Sequence, residues 1–161
     1  MSIRKSITKK DSIYIWTRDR WCCRYCGRPV IFAPAMKQLE KISPAHGYYH
    51  AHWKRQHSPL LDEIGATVDH IQAVSNGGCN SIDNYNTSCW RCNLDKKDKP
   101  LENWGKIVES LPSSWDGLSS LFVRFYDDES ADSTDRQWYR LLCNLGCHSE
   151  RSEESACTVL K

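Results

Sequence analysis

The chain has 161 residues, of which 40% are hydrophobic, and its 22 Lys and Arg residues nearly balance 20 Asp and Glu. This length suits one domain with a core of ordinary size. No stretch approaches the roughly 18 apolar residues of a membrane helix, and residues 1–10 are basic without an apolar run, so we expect neither a membrane span nor a secretory signal. We therefore expect a reducing, cytoplasmic setting, in which nine cysteines favour metal binding over a disulfide framework.

The net charge of +2 hides an uneven distribution along the chain. Residues 1–106 carry 17 Lys and Arg against 10 Asp and Glu, whereas residues 107–161 carry 5 against 10. A basic part followed by an acidic part favours an anionic partner such as nucleic acid, although basic surfaces also occur on proteins that bind nothing charged.

Apolar spacing, caps and turn residues predict a mixture of helices and strands. In chain order the predicted elements are a helix over 8–20 that begins with a Thr8–Asp11 cap, a cysteine turn over 21–30, a helix near 35–42, strand-prone segments over 67–74 and 81–87 around a Ser-Asn-Gly-Gly turn, and helices over 89–97, 115–126 and 134–145. The last helix is expected to be capped by Ser133 and to end at Gly146, and residues 147–161 are expected to be a disordered tail.

Two Cys-x-x-Cys pairs, Cys23/Cys26 and Cys89/Cys92, carry the clearest metal signature. Two residues between thiolates let both sulfurs reach one ion, so two pairs complete a tetrahedral site for structural Zn²⁺ with no position open to substrate. The spacing favours Cys23 over Cys22 as the ligand. A thioredoxin-like redox pair would leave the second pair unexplained, a zinc deaminase would need an upstream His-x-Glu, and buried thiols without a metal are the remaining alternative.

The segment VDHIQAVSNGGCNSIDNYNTSCWRCNLDKKDK, residues 68–99, resembles the HNH endonucleases, also called ββα-metal nucleases. The matching elements are Asp69-His70, the Gly-Gly turn, Asn84 five residues before Cys89, Asn93 directly after the second cysteine pair, and the placement of both pairs. The resemblance implies an α+β fold with a ββα-metal core, which is cross-linked by the four-cysteine zinc site and flanked by helices.

The same resemblance implies metal-dependent hydrolysis of DNA phosphodiester bonds, with double-stranded DNA as the expected partner. It assigns His70 as general base, Asp69 and Asn93 as ligands of the catalytic ion, and Asn84 as the residue that organises the loop. The residue chemistry agrees, because a neutral imidazole can accept a proton from water, and carboxylate and amide oxygens suit Mg²⁺ or Mn²⁺. Adjacent strand residues point to opposite sides, so Asp69 and His70 can flank a phosphate only if the backbone bends there.

One position departs from the family pattern, since Asn93 stands where the name-giving histidine is expected. An amide oxygen keeps a hard ligand there and disfavours a softer ion such as Zn²⁺. The departure also leaves open a different class of function, a zinc-stabilised nucleic-acid-binding module without catalysis. Nothing in the motif separates DNA from RNA as substrate.

The predicted domain organisation has four parts, which are a basic arm and helix (1–20), the nuclease core (21–106) with an insertion at about 31–66, a helical extension (107–146) and the tail (147–161). Basic residues near the motif, Lys96, Lys97 and Arg24, are predicted to contact phosphates. The insertion carries four histidines that could supply additional metal ligands, but nearby aromatic residues favour packing or base stacking instead; the histidines are His46, His50, His52 and His57, and the aromatic residues are Tyr48, Tyr49 and Trp53.

Overall fold

The computed structural model describes residues 5–105, 107–108 and 114–149, with side chains described up to residue 145. Its helices and strands, in chain order, are α1 (Lys9–Arg18), α2 (Ala33–Ile42), α3 (Pro59–Ile64), β1 (Ala66–His70), β2 (Tyr85–Cys89), α4 (Trp90–Lys96), α5 (Leu101–Trp104), α6 (Ser119–Arg124) and α7 (Ser133–Ser149). The predicted α+β class is confirmed. Within the described residues, no helix is long and apolar enough to cross a membrane.

The two strands form an antiparallel sheet in which Ala66 pairs with Cys89 and His70 pairs with Tyr85. Helix α4 begins at the residue after β2, which gives the strand–strand–helix order that the resemblance predicts. Helix α1 packs against both strands, and the indole nitrogen of Trp16 donates to the carbonyl of Thr67 at 3.1 Å. Helix α1 therefore packs against the sheet and supports both of its strands.

The first cysteine pair lies on a tight turn that is tied to the sheet. The N–H of Cys23 donates to the carbonyl of Arg28, and the N–H of Gly27 donates to the carbonyl of Cys23, each at 2.8 Å. The N–H of Arg24 donates to the carbonyl of Thr87 on β2, also at 2.8 Å. These backbone bonds place the turn beside the strand whose last residue begins the second pair.

The predicted insertion, residues 31–66, begins and ends at backbone positions that are hydrogen-bonded to each other. The N–H of Ile31 donates to the carbonyl of Ile64 at 2.9 Å, and the N–H of Ala66 donates to the carbonyl of Ile31 at 2.8 Å. Helices α2 and α3 lie within this excursion, so it has secondary structure of its own. The domain boundaries themselves stay a prediction.

A cluster of aromatic rings forms the main core and joins the terminal helices to the sheet. Phe32 is fully buried, with ring centroids 5.4 Å from Phe122 on α6 and 5.2 Å from Trp138 on α7. Trp16 lies 5.2 Å from Trp21 and stacks on Trp138 at 5.9 Å. Rings of this size contribute most of the buried apolar area in a small core, so they fix how α1, α6 and α7 meet.

The prediction of a helix over 115–126 is wrong at its start, because α6 begins only at Ser119. Gly117 and Leu118 have φ angles of +69° and +70°, which a right-handed helix cannot accommodate. The carboxylate of Asp116 accepts the N–H groups of Leu118 and Ser120, each at 2.9 Å. A capped left-handed turn therefore replaces the first predicted helical turn.

The prediction for the last helix is wrong at both ends, since α7 runs from Ser133 through Gly146 to Ser149. Its cap is Asp132, whose Oδ1 accepts the N–H groups of Thr134 and Asp135 at 2.8 Å each. Glycine inside a helix costs only about 1 kcal/mol, so Gly146 need not end it. Residues 147–149 of the predicted tail are thus helical, and residues 150–161 lie outside the described residues.

Candidate active site and metal centre

The four predicted zinc ligands converge, with the sulfur atoms of Cys23, Cys26, Cys89 and Cys92 all within 4.8 Å of one another. The first two lie on the turn after α1, Cys89 ends β2, and Cys92 lies in the first turn of α4. Cys26 is exposed and the other three are buried. The cluster contains Cys23 and not its neighbour Cys22, and it can hold a metal ion.

The ionisation of these thiols is coupled because they share hydrogen bonds. Bonds from neighbouring thiols, with Cys23 the largest contributor, lower the pKa of Cys26, and bonds with Cys23 raise the pKa of Cys89 and of Cys92. Arg28 adds positive charge, with its Nε donating to the sulfur of Cys26 at 3.4 Å. Four adjacent thiolates need a cation to balance their repulsion, so the donor set fits a thiophilic divalent ion such as Zn²⁺.

A cavity of about 680 Å³ lies at the end of β1. The chain bends at residues 71–72, directly after the strand, and both Asp69 and His70 line the cavity. Asn93 and Lys97 approach from α4 and its C-terminal end. Its full lining is Asp69, His70, Ala73, Val74, Ser75, Asn93, Leu94, Lys97 and Asp98.

His70 is 5% exposed and its orientation is set by two neighbours. Its Nε2 lies 3.2 Å from Oδ1 of Asn80, and its ring meets Tyr85 edge-on with centroids 4.6 Å apart. The N–H of Lys5 also approaches this oxygen at 3.4 Å, which is consistent with the oxygen, and not the amide nitrogen, facing the histidine. An amide oxygen only accepts, so in this orientation Nε2 is the donor nitrogen of a neutral His70 ring and Nδ1 is its acceptor nitrogen.

The carboxylate of Asp69 is 9% exposed and has two donors on one oxygen. Its Oδ2 accepts the hydroxyl of Tyr25 at 2.6 Å and lies 2.9 Å from the ammonium of Lys96. The Lys96 side chain is fully buried and also donates to the carbonyl of His70 at 2.8 Å. The prediction that Lys96 contacts phosphates is therefore wrong, because its ammonium is buried and bonded to the carboxylate of Asp69 and the carbonyl of His70.

The amide of Asn93 is oriented by a chain of hydrogen bonds across β1. The hydroxyl of Thr67 donates to the carbonyl of Ser88 at 2.8 Å, so the Thr67 oxygen acts as acceptor for Nδ2 of Asn93 at 3.0 Å. With its nitrogen so engaged, Asn93 keeps its carbonyl oxygen as a ligand atom. Together with the Asp69 carboxylate, this oxygen set fits Mg²⁺ or Mn²⁺ better than it fits zinc.

Asn84 lies outside the cavity lining and closes the loop between the two strands. Its Oδ1 accepts the N–H of Gln72 at 2.9 Å, and its Nδ2 donates to the carbonyls of Gln72 at 2.9 Å and Cys79 at 2.8 Å. The loop is tight, since a Cβ added at Gly78 would lie 1.9 Å from the carbonyl oxygen of Gln72. Asn84 thus ties together two points of the loop that follows His70.

A comparison with protein-family models matches residues 57–99 to HNH endonuclease. Residues 57–99 are an HNH domain. The match spans β1, β2 and α4 with Asp69, His70, Asn84 and Asn93. Searches of curated proteins and of solved structures found no match to the chain.

The first cysteine pair lies outside the matched residues, and the fold brings it to the HNH domain. This arrangement fits the zinc-bearing branch of the family. The match to the HNH model supports a nuclease-type function in general terms.

The other predicted contacts lie in different places around the HNH domain. Lys97 is exposed and lines the cavity. Arg24 is half-buried on the cysteine turn, 3.8 Å from the carboxylate of Asp19, and is not among the cavity-lining residues. The histidine-rich segment also lies away from the lining, with the rings of His50 and His57 stacked at 4.8 Å, and its role stays a prediction.

Sequence reasoning missed three residues that orient the HNH domain's polar groups, namely Tyr25, Thr67 and Asn80. Asn80 carried a usable signal, because it follows the glycine turn within the motif. Thr67 sits three residues before His70 and carried only its strand propensity. Tyr25 carried none, since its contact to Asp69 joins residues 44 positions apart.

Proposed function

We propose that this protein is an endonuclease that hydrolyses DNA phosphodiester bonds with Mg²⁺ or Mn²⁺, and that its four-cysteine cluster holds structural Zn²⁺. The observation that carries the proposal is the cavity at the end of β1, where His70 lies beside the oxygen ligands of Asp69 and Asn93. We also propose a reducing, cytoplasmic setting, in which the seven described cysteines, none of them in a disulfide, stay reduced.

His70 has the features of a general base for water. Its Nε2 proton is engaged by Asn80, so Nδ1 can accept the proton of an attacking water. Asn80 holds the ring and its tautomer, and Tyr85 limits ring rotation. A base with a fixed lone pair needs no reorientation before proton transfer.

Asp69 and Asn93 are the residues that hold the divalent ion in this proposal. When bound, the ion supplies positive charge that stabilises the developing negative charge on the phosphate and the leaving oxygen. Lys97 supplies a further positive charge at the cavity edge for the backbone of double-stranded DNA. Asn84 keeps the loop after His70 in place through its three hydrogen bonds.

The test is nicking of supercoiled plasmid by the zinc-loaded protein, with Mg²⁺, Mn²⁺ or Zn²⁺ added separately. We expect nicking with Mg²⁺ or Mn²⁺ but not with zinc alone, and a loss of at least about 100-fold in His70→Ala. His46→Ala is the matched control, because His46 is exposed and does not line the cavity.

Equal nicking by wild type and His70→Ala would contradict the proposal and indicate a contaminating nuclease. DNA binding without nicking by either protein would identify a binding module instead. A parallel reaction on single-stranded RNA of matched length tests the choice of DNA, which faster RNA cleavage would overturn.

A further inference from the structure

We infer that Tyr25 and Lys96 are positioning residues that fix the Asp69 carboxylate for the divalent ion, so that the cysteine turn carrying Tyr25 supports the ion site as well as the fold. The inference rests on the proposed role of Asp69 as an ion ligand. It concerns a contact between two parts of the chain, since Tyr25 lies between Cys23 and Cys26 whereas Asp69 is the last residue but one of β1.

Both donors act on the same carboxylate oxygen. The hydroxyl of Tyr25 and the ammonium of Lys96 lie 2.6 Å and 2.9 Å from Oδ2 of Asp69. Rotation of a free aspartate carboxylate about its last bond is broad, and two donors on one oxygen restrict it. Oδ1 is thereby left as the atom that binds the ion. The rotational entropy of the carboxylate is lost when the protein folds and not when the ion binds.

The two donors are rigid because their surroundings hold them. The ring of Tyr25 is buried, packs edge-on against Trp104 with centroids 4.8 Å apart, and is anchored on both sides by cysteines of the cluster. Lys96 is fully buried, and its second hydrogen bond is to the backbone carbonyl of His70. One buried ammonium thus contacts the side chain of the proposed ion ligand and the backbone of the proposed general base.

The hydroxyl of Tyr25 donates to the carboxylate as an uncharged group. Removing this hydroxyl changes no charge in the site. Removing Lys96 would free Asp69 and would also delete a positive charge that repels the incoming ion, so Tyr25→Phe is the cleaner variant.

The experiment measures Mn²⁺ binding to the zinc-loaded, DNA-free protein by electron paramagnetic resonance titration. We expect Tyr25→Phe to bind Mn²⁺ about 10-fold more weakly than wild type, the lower end of the effect typical for partners of metal ligands. Zinc content, measured on the same samples, stays at the wild-type value. Tyr14→Phe is the matched control, because Tyr14 is 55% exposed on α1.

Asp69→Asn separates a failure of this inference from a failure of the proposed function. If Asp69→Asn binds Mn²⁺ as tightly as wild type, the ion site is misassigned and both proposals fall. If Asp69→Asn weakens binding but Tyr25→Phe does not, only the positioning role is overturned. Weakening of Mn²⁺ binding in Tyr25→Phe that is matched by loss of zinc would also overturn it, because Tyr25 would then act through the fold alone.

Discussion

Removing the metal from the four-cysteine cluster should lower the free energy of unfolding, because the unfolded chain then regains the conformational entropy of an open loop. Sixty-two residues separate Cys26 from Cys89, and the cluster closes this segment into a loop. Treated as a cross-link, the closure contributes about 4 kcal/mol to the free energy of unfolding. A chain of this size shifts its melting temperature by roughly 2–4 °C per kcal/mol, so chelation should lower it by about 8–16 °C.

The assay is thermal unfolding of the reduced protein with and without a zinc chelator, combined with zinc analysis by atomic absorption. Wild type should contain one zinc per chain, and Cys92→Ser should lose zinc and melt at the temperature of the chelated protein. Cys79→Ser is the matched control, because Cys79 is exposed and lies outside the cluster. A melting temperature unchanged by chelation, or equal zinc loss in both variants, would refute the reasoning.

Three other changes test the fold and the loop. Gly117→Ala should cost at least about 2 kcal/mol in urea unfolding, because φ is +69° and the new Cβ would lie 2.0 Å from the ring of Trp21; a smaller cost would contradict this packing. Asn84→Ala should speed hydrogen exchange in residues 72–79 and slow nicking about 10-fold at unchanged zinc content, whereas normal exchange would show that its three bonds do not hold the loop. A hydrogen bond from Lys37 lowers the pKa of Asp132 to about 2, so its stabilisation is present above about pH 4 and is lost as the pH falls through 2. Asp132→Asn should therefore lower the free energy of unfolding by less than about 1 kcal/mol at pH 7, as expected for an exposed pair. The difference from wild type should shrink below pH 4, and a difference that grows there would contradict the prediction.

The cysteine cluster could be predicted because its information is local. Each pair brings its two sulfurs together by spacing alone, and only the meeting of the pairs needed the fold. The grouping of the proposed catalytic residues could be predicted for a related reason, since Asp69, His70, Asn84 and Asn93 lie within 25 residues of one another in a strand–loop–strand–helix segment.

Neighbouring lysines show where sequence reasoning stops. Lys96 and Lys97 are equally basic, yet Lys96 ends α4 with its side chain fully buried and Lys97 takes a φ of +54° and lies exposed. The backbone turn at the end of the helix separates them, and no local pattern marks which lysine meets a buried carboxylate. The same limit applies to the start of α6, where left-handed residues follow the Asp116 cap.

The adjacent residues Cys92 and Asn93 show how one short helix would serve the two proposed metal sites. Successive helical residues are rotated by about 100°, so Cys92 joins the sulfur cluster while Asn93 lines the cavity. Thiolates favour zinc, and oxygen ligands favour Mg²⁺ or Mn²⁺. An imidazole at position 93 would offer zinc a nitrogen beside an existing zinc ligand. In the proposed function, the amide of Asn93, held through Thr67, would offer only an oxygen to the second ion and so would keep the chemistry of the two sites apart.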